Sequence, residues 1–237
     1  MLGPDRRTMT RAQAEAAQID VGLRAHMLRV YNYMASGVAL TGIVAMMASN
    51  SIPLMNAIHG TPLRWLVMLA PLAFVLVISF GINRLSLFAS QALFWLFAAV
   101  MGLSLSYIFL LYTGESIARV FFITAASFGA LSLWGYTTKR DISGWGSFLF
   151  IGLIGIIIAG VVNIWLQSPA IHFAYSAIGV LIFAGLTAYD TQKIKNAYSE
   201  LHDHETSGKL AVMGALTLYL DFINLMMMLL HLFGNRR

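Results

Sequence analysis

The sequence predicts an all-α integral membrane protein, on the basis of its composition and of its long apolar stretches. Of the 237 residues, 59% are hydrophobic and 11% are charged, and the mean hydropathy is +0.75. Soluble domains average about 45–50% apolar and about 25% charged residues, so both departures indicate a chain solvated by lipid. A helix needs about 20 predominantly apolar residues to cross the hydrocarbon core of a bilayer.

Seven stretches meet this length requirement and predict a seven-transmembrane-helix bundle. Their approximate limits are 30–50, 65–82, 88–112, 117–137, 146–167, 172–193 and 209–233. The second stretch contains Pro71, which should kink the helix or lie near its start, because proline lacks the N–H that a helix interior requires. The linkers are short, which predicts that neighbouring helices pack antiparallel in one bundle.

The polar residues ahead of the first stretch predict two regions of different character. These are a cytoplasmic N-terminal tail, residues 1–29, and a transmembrane domain, residues 30–237. The tail has no short apolar core followed by a cleavage site, so it is not predicted to be a secretory signal. The chain has no cysteine, which excludes disulfides and thiolate metal sites.

The basic residues predict that the N-terminus faces the cytoplasm, because Lys and Arg are enriched in cytoplasmic loops. This orientation places eleven basic residues inside and four outside. The eleven are Arg6, Arg7, Arg11, Arg24, Arg29, Arg84, Lys139, Arg140, Lys193, Lys195 and Lys209, and the four are Arg64, Arg119, Arg236 and Arg237. The C-terminal arginine pair opposes the bias, so either all seven helices cross or the last segment is re-entrant. Basic residues scattered through loops also predict no nucleic-acid partner.

Asp190 and Asp221 are the leading functional candidates, because they lie inside the sixth and seventh apolar stretches. An ionised carboxylate at the bilayer centre costs about 3 kcal/mol on insertion scales, so such residues normally face a bundle interior or a wet cavity. Two carboxylates that share a site cannot both ionise freely. The pair therefore predicts a pH-sensing ion pathway or gate.

The depths of the two aspartates leave alternatives open. Asp190 lies five residues before Lys195, and Asp221 lies twelve residues after Lys209. At 1.5 Å per residue these depths differ by roughly 10 Å. The carboxylates meet only if the start of the last helix extends outward, or if the sixth helix runs deeper than its lysines suggest. Otherwise Asp190 and Lys193 form an interfacial salt bridge.

A secondary polar stripe accompanies the aspartates. Thr217 and Asn224 lie on the same face of the last predicted helix as Asp221, and Thr187 lies on the same side of the sixth helix as the aspartate there. The stripe is either part of the ion pathway or a helix–helix contact joined by polar side chains. Arg84, at the end of the second helix, is either a latch candidate for a carboxylate or a loop arginine that sets orientation.

The residues do not predict an enzyme or a bound cofactor. The patterns HExxH, GxxxxGK[ST] and GxSxG are absent from the sequence. Paired membrane aspartates also occur in di-aspartyl proteases, where they activate water. The contexts DTQKI and DFINL lack the glycine that those proteases have beside the catalytic aspartate.

Two long motifs resemble the transmembrane Bax inhibitor motif family. They are GLTAYDTQKIK at 185–195 and LYLDFINL at 218–225, and GLSLSYIFLLYT at 102–113 and GYTTKRDIS at 135–143 are similar to the bacterial branch. The similarity runs from about residue 25 to the end of the sequence. It implies a seven-helix bundle in a bacterial inner membrane, with the last helix surrounded by the other six.

The resemblance also implies a function. Characterised bacterial members are similar to pH-controlled calcium-leak channels, and their two aspartates match Asp190 and Asp221. An arginine that latches one aspartate in the closed form matches Arg84. We therefore expect a cation leak channel gated by protonation of the aspartates, with calcium as the favoured ion, bound weakly and transiently by Asp190 and Asp221. The alternative is a non-channel interaction protein that contacts a membrane-anchored protease, or modulates a stress response, through its N-terminal tail.

Overall fold

The computed structural model describes residues 11–199 and 203–237, with side chains from residue 21 onward. The described chain is almost entirely helical, and seven segments are long and apolar enough to cross a membrane. This confirms the predicted all-α seven-span architecture. The helices are α1 (Arg11–Ser49), α2 (Ile52–His59), α3 (Leu63–Gly81), α4 (Leu87–Leu105), α5 (Ile108–Leu111), α6 (Gly114–Thr137), α7 (Trp145–Leu166), α8 (Pro169–Asn196) and α9 (His204–Phe233). The helices α4 and α5 together make one of the spans.

Some helix limits differ from those that the apolar pattern predicts. The first helix begins at Arg11, ahead of the span that starts at Val21, because an alanine-rich polar segment readily extends a helix already formed. Residues 1–10 of the predicted tail lie outside the described residues. The short helix α2 was not predicted, and it has a proline in its first turn, where no N–H is needed. Pro71 lies inside α3 rather than near its start.

The last helix forms the centre of the bundle. In its most apolar window 61% of residues are buried, against at most 33% in any other span. It packs against α1, α3, α4, α6 and α8, while α7 packs on the outer side of α8. The central position of the last helix is therefore confirmed, although α7, one of the six neighbours that the resemblance implies, packs mainly on α8.

Contacts around Tyr219 show how closely the helices approach one another. Its ring meets Phe97 of α4 edge-on, with ring centroids 5.0 Å apart. Its hydroxyl is hydrogen-bonded to Thr41 Oγ1 of α1 at 2.6 Å. At Gly102 of α4 a Cβ atom would lie 2.7 Å from the Thr41 carbonyl oxygen, so glycine is required for this α1–α4 contact. These contacts hold α1 and α4 against one face of α9.

The C-terminus lies at the end of the bundle opposite the start of α1. The backbone N–H of Thr113 donates to the Asn235 carbonyl at 3.1 Å, and the N–H of Arg237 donates to the Leu111 carbonyl at 3.0 Å. The Asn235 N–H also donates to Ser116 Oγ at 2.9 Å. The last helix therefore crosses the whole bundle, and the re-entrant alternative is wrong. We call the two ends the N-terminal end and the C-terminal end.

Candidate functional site

Asp190 on α8 and Asp221 on α9 form an aspartate pair, in which the carboxyl groups lie close enough to share a hydrogen bond. An ionised carboxylate is only an acceptor, so such a hydrogen bond forms when one of the two groups carries a proton. Asp221 is 5% exposed, whereas Asp190 is half-buried near the end of its helix. The aspartate pair therefore places two carboxyl groups side by side inside the membrane-spanning bundle.

The antiparallel register of α8 and α9 explains how the two aspartates meet. Ile194 lies against Gly214, and farther along the same interface Gly179 lies against Met228. This register brings the two aspartates within about one helical turn of each other. It also extends the first turns of α9 past the end of α8, by roughly 12 Å at 1.5 Å per residue. The expected difference in depth is thus resolved by the outward extension of the last helix.

A cavity of about 400 Å³ surrounds the aspartate pair between α7, α8 and α9. We call it the aspartate cavity. Its polar lining consists of the pair together with Lys193, Thr217 and Asn224. Its apolar lining consists of Gly146, Phe150 and Leu153 of α7, Phe183, Leu186 and Tyr189 of α8, and Leu220 of α9. The cavity can therefore hold hydrated polar species inside an otherwise apolar bundle.

The polar stripe predicted on the last helix faces this cavity. Thr217 and Asn224 line it on the same side as Asp221, and the Thr217 hydroxyl donates to the Met213 carbonyl at 3.1 Å. The Oδ2 atom of Asp221 is buried and has no hydrogen-bond partner among the described residues. An unsatisfied carboxyl oxygen in the interior is costly, which makes Asp221 a candidate for function rather than for stability.

Lys193 acts on the pair electrostatically. It lies three residues after Asp190, lines the cavity and is exposed at its outer side. Its positive charge belongs to the same cavity lining as the Asp190 carboxyl. Among the described residues, Lys209 and Glu205 are the one pair within ion-pair distance. Asp190 and Lys193 therefore do not form a salt bridge.

Thr187 and Arg84 lie apart from the aspartate pair. Thr187 is fully buried on another side of α8, where its hydroxyl donates to the Phe183 carbonyl at 2.7 Å. Arg84 is exposed in the turn between α3 and α4, and no carboxylate of the described residues is within ion-pair distance of it. In this conformation the electrostatic partners of Asp190 are Lys193 and Asp221. The latch role of Arg84 stays a prediction.

A chain of buried hydroxyl groups joins α1, α6 and α8. No pattern in the sequence predicted that these hydroxyl groups would meet. The Tyr31 hydroxyl is 2.7 Å from Ser132 Oγ, which is 2.8 Å from Thr191 Oγ1. The Thr191 hydroxyl in turn donates to the Thr187 carbonyl at 2.7 Å. Serine and threonine inside apolar spans often make such interhelical contacts. Their presence in the predicted helices was therefore the sequence feature that could have indicated this chain.

Comparison with known proteins identifies the family. The family model described as "Inhibitor of apoptosis-promoting Bax1" matches residues 23–237. The chain belongs to this Bax inhibitor family. Among its relatives, the Escherichia coli K12 inner membrane protein YbhL is 50% identical over 219 residues, which are 91% of this chain and 94% of YbhL. The protein RP147 of Rickettsia prowazekii is 49% identical over 218 residues, 92% of each chain. A Caulobacter vibrioides protein is 45% identical over 230 residues, again 92% of each.

The family match extends over almost the whole bundle. It begins two residues after the start of the first span and includes the other six spans and the aspartate pair. The resemblance drawn from the motifs is therefore confirmed. Together with the seven apolar helices, it makes this member of the Bax inhibitor family an integral membrane protein.

Proposed function

We propose that the chain is a cation leak channel, with calcium as the favoured ion, gated by proton occupancy of the aspartate pair. The observation that supports this most strongly is that Asp190 and Asp221 lie together in one cavity between spanning helices. Such ionisable residues inside a membrane usually mark an ion or proton pathway. Its relative YbhL is an inner membrane protein, which supports a location in a bacterial inner membrane.

The gating step is a change in the charge of the pair. While one proton is shared, the hydrogen bond holds α8 against α9. When that proton leaves, two like charges remain, and at 4 Å they repel by about 4 kcal/mol at an effective dielectric constant of 20. An energy of this size is enough to reverse the relative populations of two conformations whose free energies differ by a few kcal/mol.

The same groups offer a weak site for the ion. Calcium prefers six to eight oxygen ligands, and the two carboxylates, with the Thr217 hydroxyl and the Asn224 amide oxygen nearby, supply fewer. Water would complete the coordination. Weak binding suits conduction, because an ion that enters must also leave.

Conduction requires a further opening toward the C-terminal end. A cluster of buried apolar side chains, including Leu225 and Leu229, fills the interface of α8 and α9 beyond the aspartate cavity. Hydrophobic constrictions of this kind gate pores by excluding water. In the proposed mechanism, repulsion within the pair separates α8 from α9 and lets water and ions past this cluster.

The test is calcium flux into liposomes that contain the purified full-length protein, measured between about pH 6 and 8. We expect flux that changes with pH in the wild type and no longer does so in Asp190→Asn and Asp221→Asn. The control is Asp141→Asn, an exposed loop aspartate. Hydrogen bonds from the Ser143 N–H and hydroxyl lower the pKa of Asp141 further, so it stays ionised throughout this range. Unchanged pH dependence in Asp221→Asn would show that the mechanism is wrong.

Arg84→Gln in the same assay tests the predicted latch. An arginine pairs with an ionised carboxylate, so a latch would form toward higher pH. It would hold the N-terminal end of the bundle closed and so oppose the separation of α8 from α9. We therefore expect this variant to raise flux at the alkaline end of the range and to leave it unchanged at the acidic end. An equal change at both ends would mean that Arg84 acts only as a surface charge.

The second candidate is a non-enzymatic interaction protein that modulates a membrane-anchored protease or a stress response. The observation that favours it is the start of α1 at Arg11, ten residues ahead of the span. Deleting residues 1–19 tests it, since this cut spares Gly22, which lies against Tyr198. A channel should still conduct after the deletion. Loss of a co-purified protease with no flux from the intact protein would support the interaction function.

A further inference from the structure

A groove opens sideways between α1 and α6, on the opposite side of α9 from the aspartate cavity. Its volume is about 590 Å³, and its lining is almost entirely apolar. The walls include Leu28 and Ala35 of α1 and Gly129 and Leu133 of α6, and Phe222 of α9 lies at the bottom. We call this feature the lateral groove. Leu28 is 52% exposed and Leu133 is 62% exposed, so the groove faces the surrounding lipid.

The lateral groove is long and narrow. Along α1 its lining runs from Arg24 to Ala39, which is about 22 Å of helix. This exceeds the roughly 15 Å depth of one leaflet of hydrocarbon. The Tyr31–Ser132 hydrogen bond also bridges the bottom of the groove. A slot of this length with an almost entirely apolar lining can hold an extended hydrocarbon chain.

Positive charge is concentrated where the groove reaches the N-terminal end. Arg24 lines the groove there. On the α6 side Tyr136 closes it, and Lys195 Nζ donates to the Tyr136 carbonyl at 2.7 Å and lies 5.4 Å from the centre of its ring. Lys195 also lines an adjoining polar cavity of about 500 Å³, together with Lys139, Arg140 and the acidic Asp141. Four basic groups against one carboxylate favour an anion.

We propose that the lateral groove binds one anionic phospholipid. Its acyl chain lies between α1 and α6, and its phosphate lies between Arg24 and Lys195. An apolar slot that ends in basic side chains matches the two parts of such a molecule, and basic pockets between spanning helices are a known mode of headgroup recognition. If the N-terminal end is cytoplasmic, as the loop charges predict, the lipid belongs to the cytoplasmic leaflet.

The headgroup is tested by titrating the purified full-length protein in detergent with phosphatidylglycerol or phosphatidylcholine of the same acyl chains. Bound lipid is counted by native mass spectrometry. We expect one phosphatidylglycerol to be retained more tightly than phosphatidylcholine. Arg24→Gln should weaken phosphatidylglycerol binding about fivefold. Arg29→Gln, an exposed arginine on another face of α1, should not change it. Equal binding of the two lipids, or equal loss in both variants, would overturn the proposal.

The acyl-chain site is tested by filling the groove. A Cβ atom at Gly129 would meet nothing within 4 Å, so Gly129→Leu adds volume to the groove without a clash there. Gly155→Leu on α7 is the matched control, because it is also exposed and also has open space. We expect phosphatidylglycerol retention to be lost in Gly129→Leu and kept in Gly155→Leu, with similar melting of both proteins. Retention in both would overturn the proposal. Dimers that disappear with Gly129→Leu would show instead that a second copy covers the groove.

Discussion

Two consecutive residues of α9 face two different environments. Asp221 lines the polar aspartate cavity toward α7 and α8, and Phe222 lies at the bottom of the apolar lateral groove between α1 and α6. The aspartate cavity brings two carboxyl groups together, whereas the bottom of the lateral groove consists of packed aromatic rings. The central helix can therefore carry a titratable site on one face while the other face supports the bundle.

The largest expected effect separates these two faces by stability. The Phe222 ring packs edge-on against Phe121 and Phe128, with centroids 5.7 Å and 5.5 Å away. Phe222→Ala should destabilise the protein by about 3–5 kcal/mol, the usual result of emptying a buried aromatic site. Asp221→Asn should change stability by less than about 1 kcal/mol, because the amide can still hydrogen-bond to Asp190. Thermal unfolding in detergent measures both.

Flux should respond to the same two variants in the opposite order. Under the proposed mechanism, Phe222→Ala keeps the pH dependence of flux at temperatures where it is folded, while Asp221→Asn loses it. If folded Phe222→Ala also lost its pH dependence, the two faces of α9 would act as one unit. The assignment of pH dependence to the Asp221 face and of stability to the Phe222 face would then be wrong.

A smaller pair of effects, of opposite sign, distinguishes the two sides of α6. A Cβ atom at Gly135 would collide with the backbone of Ala188 on α8, whereas one at Gly129 would enter the open groove. Gly135→Ala should destabilise the protein by about 1–3 kcal/mol through overpacking. Gly129→Ala should stabilise it by about 0.5–1 kcal/mol through helix propensity. Melting temperatures that fall for both variants would show that the groove is already filled by protein.

The parts that the sequence could predict are those governed by composition and by single helices. Apolar length alone predicts seven spans, and the cost of a charge in hydrocarbon singles out Asp190 and Asp221. The motifs around these two residues then indicate the family. Helical periodicity places Thr217 and Asn224 beside Asp221, as the structure does.

The parts that could not be predicted depend on the relation between helices. The shared depth of the aspartates is set by the α8–α9 register, which arises where Gly179 and Gly214 admit neighbouring side chains. The position of Thr187 away from the cavity follows from the rotation of α8, which no periodicity within that helix fixes. The lateral groove is a gap between α1 and α6, which are distant in the chain, so neither segment indicates it alone.

The smallest expected effect concerns the hydroxyl chain that connects the two regions. Ser132 lines the lateral groove and bonds to Thr191 on α8, the helix that also bears Asp190. Ser132→Ala leaves the Tyr31 hydroxyl without this partner. Interhelical hydrogen bonds in membrane proteins average about 0.6 kcal/mol, so a loss of about that size is expected. Ser49→Ala, which removes a hydroxyl bonded to the Met46 carbonyl within its own helix at 2.8 Å, is the matched control.

Adding Tyr31→Phe to Ser132→Ala shows whether the hydroxyl chain acts as one unit. Because Tyr31 and Ser132 share a hydrogen bond of 2.7 Å, the double variant should lose less stability than the two single variants together. Additive losses would mean that each hydroxyl contributes alone, and that the bundle does not depend on a link between α1 and α6. Non-additive losses would mean that the bottom of the groove is held by the same hydroxyls that fix α8. An acyl chain bound in the lateral groove would then affect the position of α8, the helix that bears Asp190, through Ser132 and Thr191 and without contacting the aspartate cavity.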